Sequence, residues 1–505
     1  MQPEFDIELY NERLNSLFTR FQSVQKVGFT GDAYKPGLDG MLRFSAVLGD
    51  PWKAYPCVHV AGTNGKGSVC SMIAAGLGAS VRVGLYTSPH LLDFRERMKI
   101  VSEDGFEMIS REEVWEFLCL YEEAFEGLSF FEITTGMAFW WFARQGVDAA
   151  VIETGLGGRL DSTNIIVPAL SVITSIGLDH CALLGSTRAL IAREKAGIFK
   201  PGVPAVVGVR DAETAPVFEE VAASVGTPLV FASDVPACGF EQDLLSRMDL
   251  TGPCQDINLH TVLVALAILE NSEDLGRIRP KAHQVAALEG GPGAPEAENA
   301  PGGGPESGTW GEKGPKCTRS VLNAIAEAGK RTGLWGRWQR ICEKPEVICD
   351  IGHNPPALKE NFARLEALAN GEGLASKQPR TVIIIYGIMA DKDLAGIAPL
   401  MPAGAKYILA APDNQRAMRA EELAARLKAL RPDLGCRVSE RPVASKAEAG
   451  RDEPAAEACR EGSVAAAVRQ ALDLAQDLPN ALIYIGGSTF VVAEALPLFN
   501  KTTEL

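Results

Sequence analysis

Short apolar blocks punctuate the chain, and most are too short and too uniform to be amphipathic helices. Tyr55 to Ala61, Ala149 to Glu153, Ala169 to Ser175 and Pro204 to Val209 read as strands covered on both faces. A second series has the same character: Glu346 to Asp350, Thr381 to Gly387, Lys406 to Ala411 and Ala481 to Gly487. Amphipathic helical stretches lie between the blocks. Strands separated by helices predict parallel sheets, because a parallel pair needs a crossover connection and a helix supplies it. Two series predict two such domains, and 505 residues exceed what one core usually serves.

The pattern lapses twice. Glu289 to Lys316 is rich in Gly, Pro, Glu and Ala and nearly devoid of apolar residues. Such a stretch cannot bury enough surface to offset the entropy of ordering it, so a disordered insertion near the domain boundary is expected. Ser445 to Ser463 is polar and Ala/Glu-rich and is expected to be an extended surface loop. No period indicates a repeat protein.

The block ending at Ala61 runs directly into Gly62-Thr63-Asn64-Gly65-Lys66-Gly67-Ser68, with a helix expected to start near Val69. Glycines let the backbone curl and turn its N–H groups inward, and a helix N-terminus adds partial positive charge at the same point. Lys66 can meet the β- and γ-phosphates of a nucleotide, and Ser68 can offer its hydroxyl to a phosphate or to Mg²⁺. An extra glycine separates Lys66 from Ser68, which departs from the common P-loop spelling. The bland alternative is a glycine-rich structural turn.

Composition narrows the class. Apolar residues make up 46% and charged residues 22%, ordinary values for a globular enzyme. The net charge of −15 argues against a nucleic-acid binder, yet leaves room for a small anion met by local donors. No apolar run is long enough to span a bilayer, and MQPEFDIELYNERL lacks the pattern of a signal peptide, so a cytoplasmic protein without a membrane role is expected. The eleven cysteines are scattered, with no C-x-x-C pair, and reduced thiols are expected.

The spelling GTNGKGS resembles the Mur-ligase superfamily at this point. YTSPHLLDFRERMKI, ETGLGGRLDSTN, SIGLDHCALLG and AREKAGIFKPG follow in order, then GLWGRWQ, CDIGHNP, GIMADKD and IGGSTF. Together these resemble the folylpolyglutamate synthase and dihydrofolate synthase family over almost the whole chain. The resemblance implies a P-loop-containing parallel-sheet ATPase domain followed by a smaller Rossmann-like α/β domain. It divides the chain into an ATP-binding domain over residues 1–288, the insertion and a linker over 289–333, and a ligase domain over 334–505. It also implies a reaction: ATP phosphorylates a substrate carboxylate, and the amine of L-glutamate displaces phosphate from the acyl phosphate. A bifunctional enzyme acting on dihydropteroate and on (tetrahydro)folates, working as a monomer on small molecules alone, is expected.

Site residues follow from the same resemblance. The phosphate loop, Thr63 to Ser68 with Lys66 as its cation, would hold ATP, together with Asn258, Arg337 and Asp350. Ser88, Glu153 and His180 match metal-binding positions, with two Mg²⁺ ions expected. Lys195 matches a lysine that is carbamylated by CO₂ in the family and then helps to hold the second ion. Lys66, His180 and Lys195 are the expected catalytic groups. Ser129, Leu160, Asp161 and Ser162 match positions that contact the pterin substrate. Three of these have a plainer alternative: a structural histidine for His180, a capping carboxylate for Glu153, and a surface lysine paired with Glu194 or Asp179 for Lys195. Arg159 could meet a carboxylate or brace its loop. Lys392 reads as a solvated charge, and His353 and Asn354 as loop stiffeners.

Two competing readings stand beside this one. A cell-wall peptide ligase normally spells the loop with Thr after Lys and carries a separate UDP-binding domain, for which the residues ahead of Gly62 leave little room. An inactive P-loop module would have no reason to keep Lys66, Glu153, His180 and Lys195 together.

Overall fold

The computed structural model describes residues 5–21, 37–270, 317–372, 379–440, 461–478 and 480–499. The first sheet is built from β1 (Cys57–Ala61), β2 (Val83–Tyr86), β3 (Met98–Ser102), β4 (Gly105–Met108), β5 (Ala149–Glu153), β6 (Leu170–Ile173), β7 (Ala205–Val207) and β8 (Leu229–Phe231). Their order is β4-β3-β2-β5-β1-β6-β7-β8, and only β3 pairs antiparallel with its neighbours. The second sheet comprises β9 (Gln339–Glu343), β10 (Glu346–Cys349), β11 (Val382–Tyr386), β12 (Lys406–Leu409), β13 (Cys436–Val438) and β14 (Leu482–Gly486). Its order is β13-β12-β11-β14-β10-β9, parallel except for β9 against β10. These are the two parallel α/β layers expected from the sequence, with edge strands added on both.

All five residues of β1 are buried, because both faces of the sheet are covered. On one face Val58 and Val60 pack with Val69, Met72 and Ile73 of the helix Lys66–Gly78 and with the helix Gln255–Glu270. The other face carries an aromatic core that includes Phe44, Phe117, Phe139, Trp141 and Phe142. Much of it comes from the helix Phe130–Gln145. Ser129 and Glu132 cap its start reciprocally, and Gly146 at φ 60° ends it. Fully burying one such phenylalanine contributes about 1.5–3 kcal/mol, so this face is a large part of what holds the domain together.

Residues expected to be linker belong to the first domain instead. Helices Arg319–Ala326 and Ala328–Thr332 place Ile325, Ala326 and Ala328 in the core beside the helix Lys66–Gly78. The chain then leaves through Thr332 and Gly333, whose carbonyls accept hydrogen bonds from Lys99 Nζ on β3 at 2.7 and 3.0 Å. The insertion expected over Glu289–Lys316 lies outside the described residues, as does the loop expected over Ser445–Ser463 up to position 460. Its last residues are ordered: Ala411 N–H donates to Gly462 O at 2.7 Å, and Ser463 caps the helix Val464–Gln476. Among the described residues the cysteines are free thiols, and no helix is long and apolar enough to cross a membrane.

Candidate functional site

The loop after β1 is held from three sides. Gly65 stands at φ 83°, and a Cβ there would come within 2.5 Å of Asn258 Oδ1. At Gly62 a Cβ would meet Thr174 Oγ1 at 1.8 Å, so only glycine lets the loop lie this close to β6. Thr174 Oγ1 donates to Asn64 O at 2.6 Å, and Thr63 Oγ1 exchanges hydrogen bonds with the backbone of Gly177. The helix begins at Lys66, three residues earlier than its apolar pattern suggests. Lys66 Nζ turns back onto its own loop, donating to Gly62 O at 3.1 Å and Thr63 O at 3.3 Å.

A cavity of about 280 Å³ opens in front of this loop. Thr63, Asn64, Lys66, Ser88, Ser129, Leu160, Asp161, Ser162, His180 and Lys195 all line it, so it collects most of the residues singled out from the sequence. Residues not anticipated there include Arg97, Phe130, Phe131, Arg416 and Phe490. His353, Asn354 and Lys392 reach the cavity from the second domain.

The remaining predicted residues gather behind the loop. Asn258 abuts Gly65 and donates to Gln255 Oε1 at 3.0 Å, while Gln255 Nε2 donates to Ser68 Oγ at 3.3 Å. Gln255 was not anticipated, although it opens the helix that carries Asn258. Arg337 Nη2 would stand 3.2 Å from a Cβ on Gly67, and Glu153 Oε2 4.0 Å from it. Asp350 supports the turn at Arg337 by accepting Trp338 N–H at 2.8 Å, Gly352 N–H at 2.7 Å and Asn361 Nδ2 at 2.7 Å.

Glu153 ends β5 with only 3% of its surface exposed, and its Oε2 accepts Ser88 N–H at 3.2 Å. Burial pushes its carboxyl pKa up, opposed by Lys66, Arg337 and Arg97. His180, at φ 52°, precedes the short helix Cys181–Leu184. Burial pushes its imidazole down to about 3, which leaves it neutral and able to ligate. Lys195 comes from the last turn of the helix Arg188–Ala196, is 4% exposed, and donates to Gly62 O at 2.8 Å. It is therefore not the surface lysine of the plainer alternative. Glu194 pairs with Arg159 at 2.9 Å, which makes Arg159 a brace on the loop. Burial, and the Lys66 ammonium beside it, push the Lys195 amine down to about 7.

Asp161 Oδ2 accepts Leu156 N–H at 2.7 Å, and Oδ1 accepts both Thr163 N–H and the Thr163 hydroxyl. Ser129 Oγ donates to Glu132 at 2.8 Å. Lys392 is no solvated charge. Its Nζ lies 3.1 Å from Asp179 Oδ1, with both side chains about nine-tenths covered. Asp179 Oδ2 also accepts Asn354 Nδ2 at 2.9 Å, and Asn354 exchanges amide hydrogen bonds with Asn64 of the loop. A polar latch thus joins the second domain to the phosphate loop.

The profile of the Mur ligase, glutamate ligase domain matches residues 336–489. The chain is 31% identical over 497 residues to a probable bifunctional folylpolyglutamate synthase/dihydropteroate synthase of Haloferax volcanii, covering 96% of this chain and 50% of that one. It thus spans about half the length of that relative. A folylpolyglutamate synthase of Lacticaseibacillus casei is 31% identical over 416 residues, 78% of this chain and 85% of the other. Among solved structures, a bifunctional folylpolyglutamate synthase/dihydrofolate synthase from Yersinia pestis, complexed with AMPPNP and Mn ion, has the same fold, with a TM-score of 0.67, 24% identity and 97% of both chains covered. The motifs, the two sheets and these likenesses agree: the chain belongs to the folylpolyglutamate synthase family.

Proposed function

We propose that this chain is an ATP-dependent ligase that joins L-glutamate to a pteroate or folate carboxylate through an acyl phosphate, acting on both dihydropteroate and folates. The observation that carries this reading is the position of the cavity, which meets the phosphate loop at Thr63, Asn64 and Lys66 and extends to Asp161 on one side and Lys392 on the other. A nucleotide would lie with its base toward Asn258 and its phosphates over the helix N-terminus at Lys66. Lys66 would exchange two backbone carbonyls for phosphate oxygens, and Arg337, beside Gly67, would add a second cation as the domains close.

Phosphoryl transfer depends mainly on position and charge neutralisation. Among the described residues no cluster of three or more His, Cys, Asp or Glu could hold a metal ion by itself. The chemistry of the donors nevertheless fits a hard cation that shares its shell with phosphates. Ser88 and Glu153 are adjacent oxygen donors, and His180 is a neutral imidazole on the cavity wall. Lys195, with a depressed amine pKa and a buried setting, is suited to adding CO₂ and presenting carbamate oxygens. A divalent cation at these groups would neutralise charge developing on the transferring phosphoryl group. Asp161 would face the pterin, and Arg416, on the second-domain side of the cavity, would receive a carboxylate of glutamate.

The test is product formation from dihydropteroate and, separately, from tetrahydrofolate, each with ATP, Mg²⁺ and glutamate. Lys66→Ala should abolish both while the protein stays folded. Near-normal turnover by that variant would overturn the assignment, and failure with either acceptor would restrict the substrate class.

A further inference from the structure

β1 carries a polar side chain at its centre. His59 is completely buried, flanked by Ile152 on β5 and Ser171 on β6, and it does not line the cavity. Its Nε2 lies 2.8 Å from Thr163 Oγ1, whereas its Nδ1 is buried with no hydrogen-bonding partner. Leaving such an atom unpaired costs about 1–3 kcal/mol, and an apolar side chain of similar size would avoid the cost. The other nitrogen must therefore supply something that an apolar residue could not.

The direction of its hydrogen bond follows from the next link. Thr163 Oγ1 lies 2.5 Å from Asp161 Oδ1. Burial pushes the Asp161 carboxyl up, opposed by the N–H groups of Leu156, Thr163 and Gly155 and by the Thr163 hydroxyl; four donors converging on one carboxyl match the ionised form, which can only accept. The single hydroxyl proton of Thr163 is thereby committed to Asp161, and Thr163 oxygen is left to accept. His59 must then carry its proton on Nε2, which accounts for the bare Nδ1. Burial, with Lys200 nearby, keeps the ring neutral by pushing its pKa down to about 3.

We propose that His59 is a positioning residue for the acceptor-binding side of the site: its Nε2–H fixes the Thr163 hydroxyl, which in turn holds the Asp161 carboxylate in one orientation on the cavity wall. The chain of contacts runs from β1, which is paired on both sides within the sheet, to the loop 156–161, which follows the cavity as irregular backbone. A carboxylate fixed in this way presents an acceptor to N–H groups of a bound heterocycle without first having to reorient. This inference rests on reading Asp161 as an acceptor contact.

Two measurements test it. In the wild-type protein, ¹⁵N chemical shifts of His59 should report the Nε2–H tautomer and no titration across the neutral range. His59→Leu should raise KM for dihydropteroate about tenfold, roughly the worth of one hydrogen bond, while KM for ATP stays within about twofold. His59→Gln, whose amide can donate from a similar position, should recover most of the loss. The Nδ1–H tautomer in the wild type would overturn the proposal, and does so even if the leucine variant fails to fold. So would an unchanged dihydropteroate KM in His59→Leu when Asp161→Asn raises it. An unchanged dihydropteroate KM in Asp161→Asn would instead remove the reading of Asp161 on which the proposal stands.

Discussion

Replacing Lys392 with methionine tests whether the latch between the domains carries energy. The substitution keeps the length and apolar stem of the side chain and removes the ammonium 3.1 Å from Asp179. Breaking a buried ion pair by deleting one partner costs about 3–5 kcal/mol when the orphaned charge has nothing else. Asp179 keeps Asn354 Nδ2 at 2.9 Å and the backbone N–H of His180 at 2.9 Å, and the open cavity admits water to it. The expected loss is therefore nearer 2 kcal/mol, about thirtyfold in the equilibrium between closed and open domains. A nucleotide that needs Lys66 from one domain and Arg337 at the entry to the other binds the closed form, so its affinity should fall by up to that factor. Titration calorimetry with an ATP analogue on the wild type, Lys392→Met, Asp179→Asn and the double variant measures the coupling directly. Coupling of more than about 1 kcal/mol is expected. Strictly additive effects, or a loss confined to glutamate KM, would show that Lys392 serves a ligand and not the closure.

Lys99, which does not line the cavity, gives a test of stability. Burial lowers its amine from the ordinary 10.5 to about 8, so between these values the unfolded chain binds more protons and stability should rise with pH. The stability of the wild type relative to Lys99→Met should grow by up to about 3 kcal/mol between neutral and strongly alkaline pH in urea unfolding, and a constant difference would refute the linkage. For Lys195, the neutral amine dominates once pH exceeds about 7, so mass spectrometry without acid should show one added CO₂ increasingly from pH 6 to 8. Lys195→Ala should bind nucleotide yet ligate far more slowly, and full activity of an unmodified lysine in CO₂-free buffer would rule the carbamate out.

The parts of the fold that could be read from the sequence are those where burial is two-sided. β1, β5 and β6 are apolar runs broken only by His59, Glu153 and Ser171, and the glycine loop follows β1 directly, so the strand, loop and helix appear together in one window. Most of the strands that went unread are partly exposed or very short, while β2 and β3 are buried but lack a plain apolar run, β2 through Gly84 and β3 through Lys99. β9 and β13 lie at the edges of the second sheet with mixed exposure, and β4 alternates little and is half-exposed. Helices Arg319–Ala326 and Ala328–Thr332 were masked by the Gly/Pro-rich stretch before them, although Val321, Leu322 and Ile325 fall on one helical face. The site divides in the same way. Motif residues could be named individually, but the partner of each could not. Asp179 and Lys392 are 213 positions apart, and Lys195 finds Gly62 across 133. Nothing local distinguishes a lysine with such a partner from a solvated one.

Charge explains how a chain carrying a net −15 can hold a site for several anions. The cavity is lined by five cationic side chains, Lys66, Arg97, Lys195, Lys392 and Arg416, against two carboxylates, Asp161 and Asp179. Clefts with low-dielectric walls focus such a local excess even when the wider surface has the opposite sign. The excess is also unsettled. Lys66 and Lys195 both donate to the one carbonyl of Gly62, and their proximity is part of what depresses the Lys195 amine. An arriving phosphate would draw Lys66 off that carbonyl and leave Gly62 to Lys195 alone. Conversion of Lys195 to a carbamate would remove the repulsion altogether and place a negative group opposite Lys66. The crowding of two lysine side chains on one carbonyl would thus favour both the nucleotide and the modification.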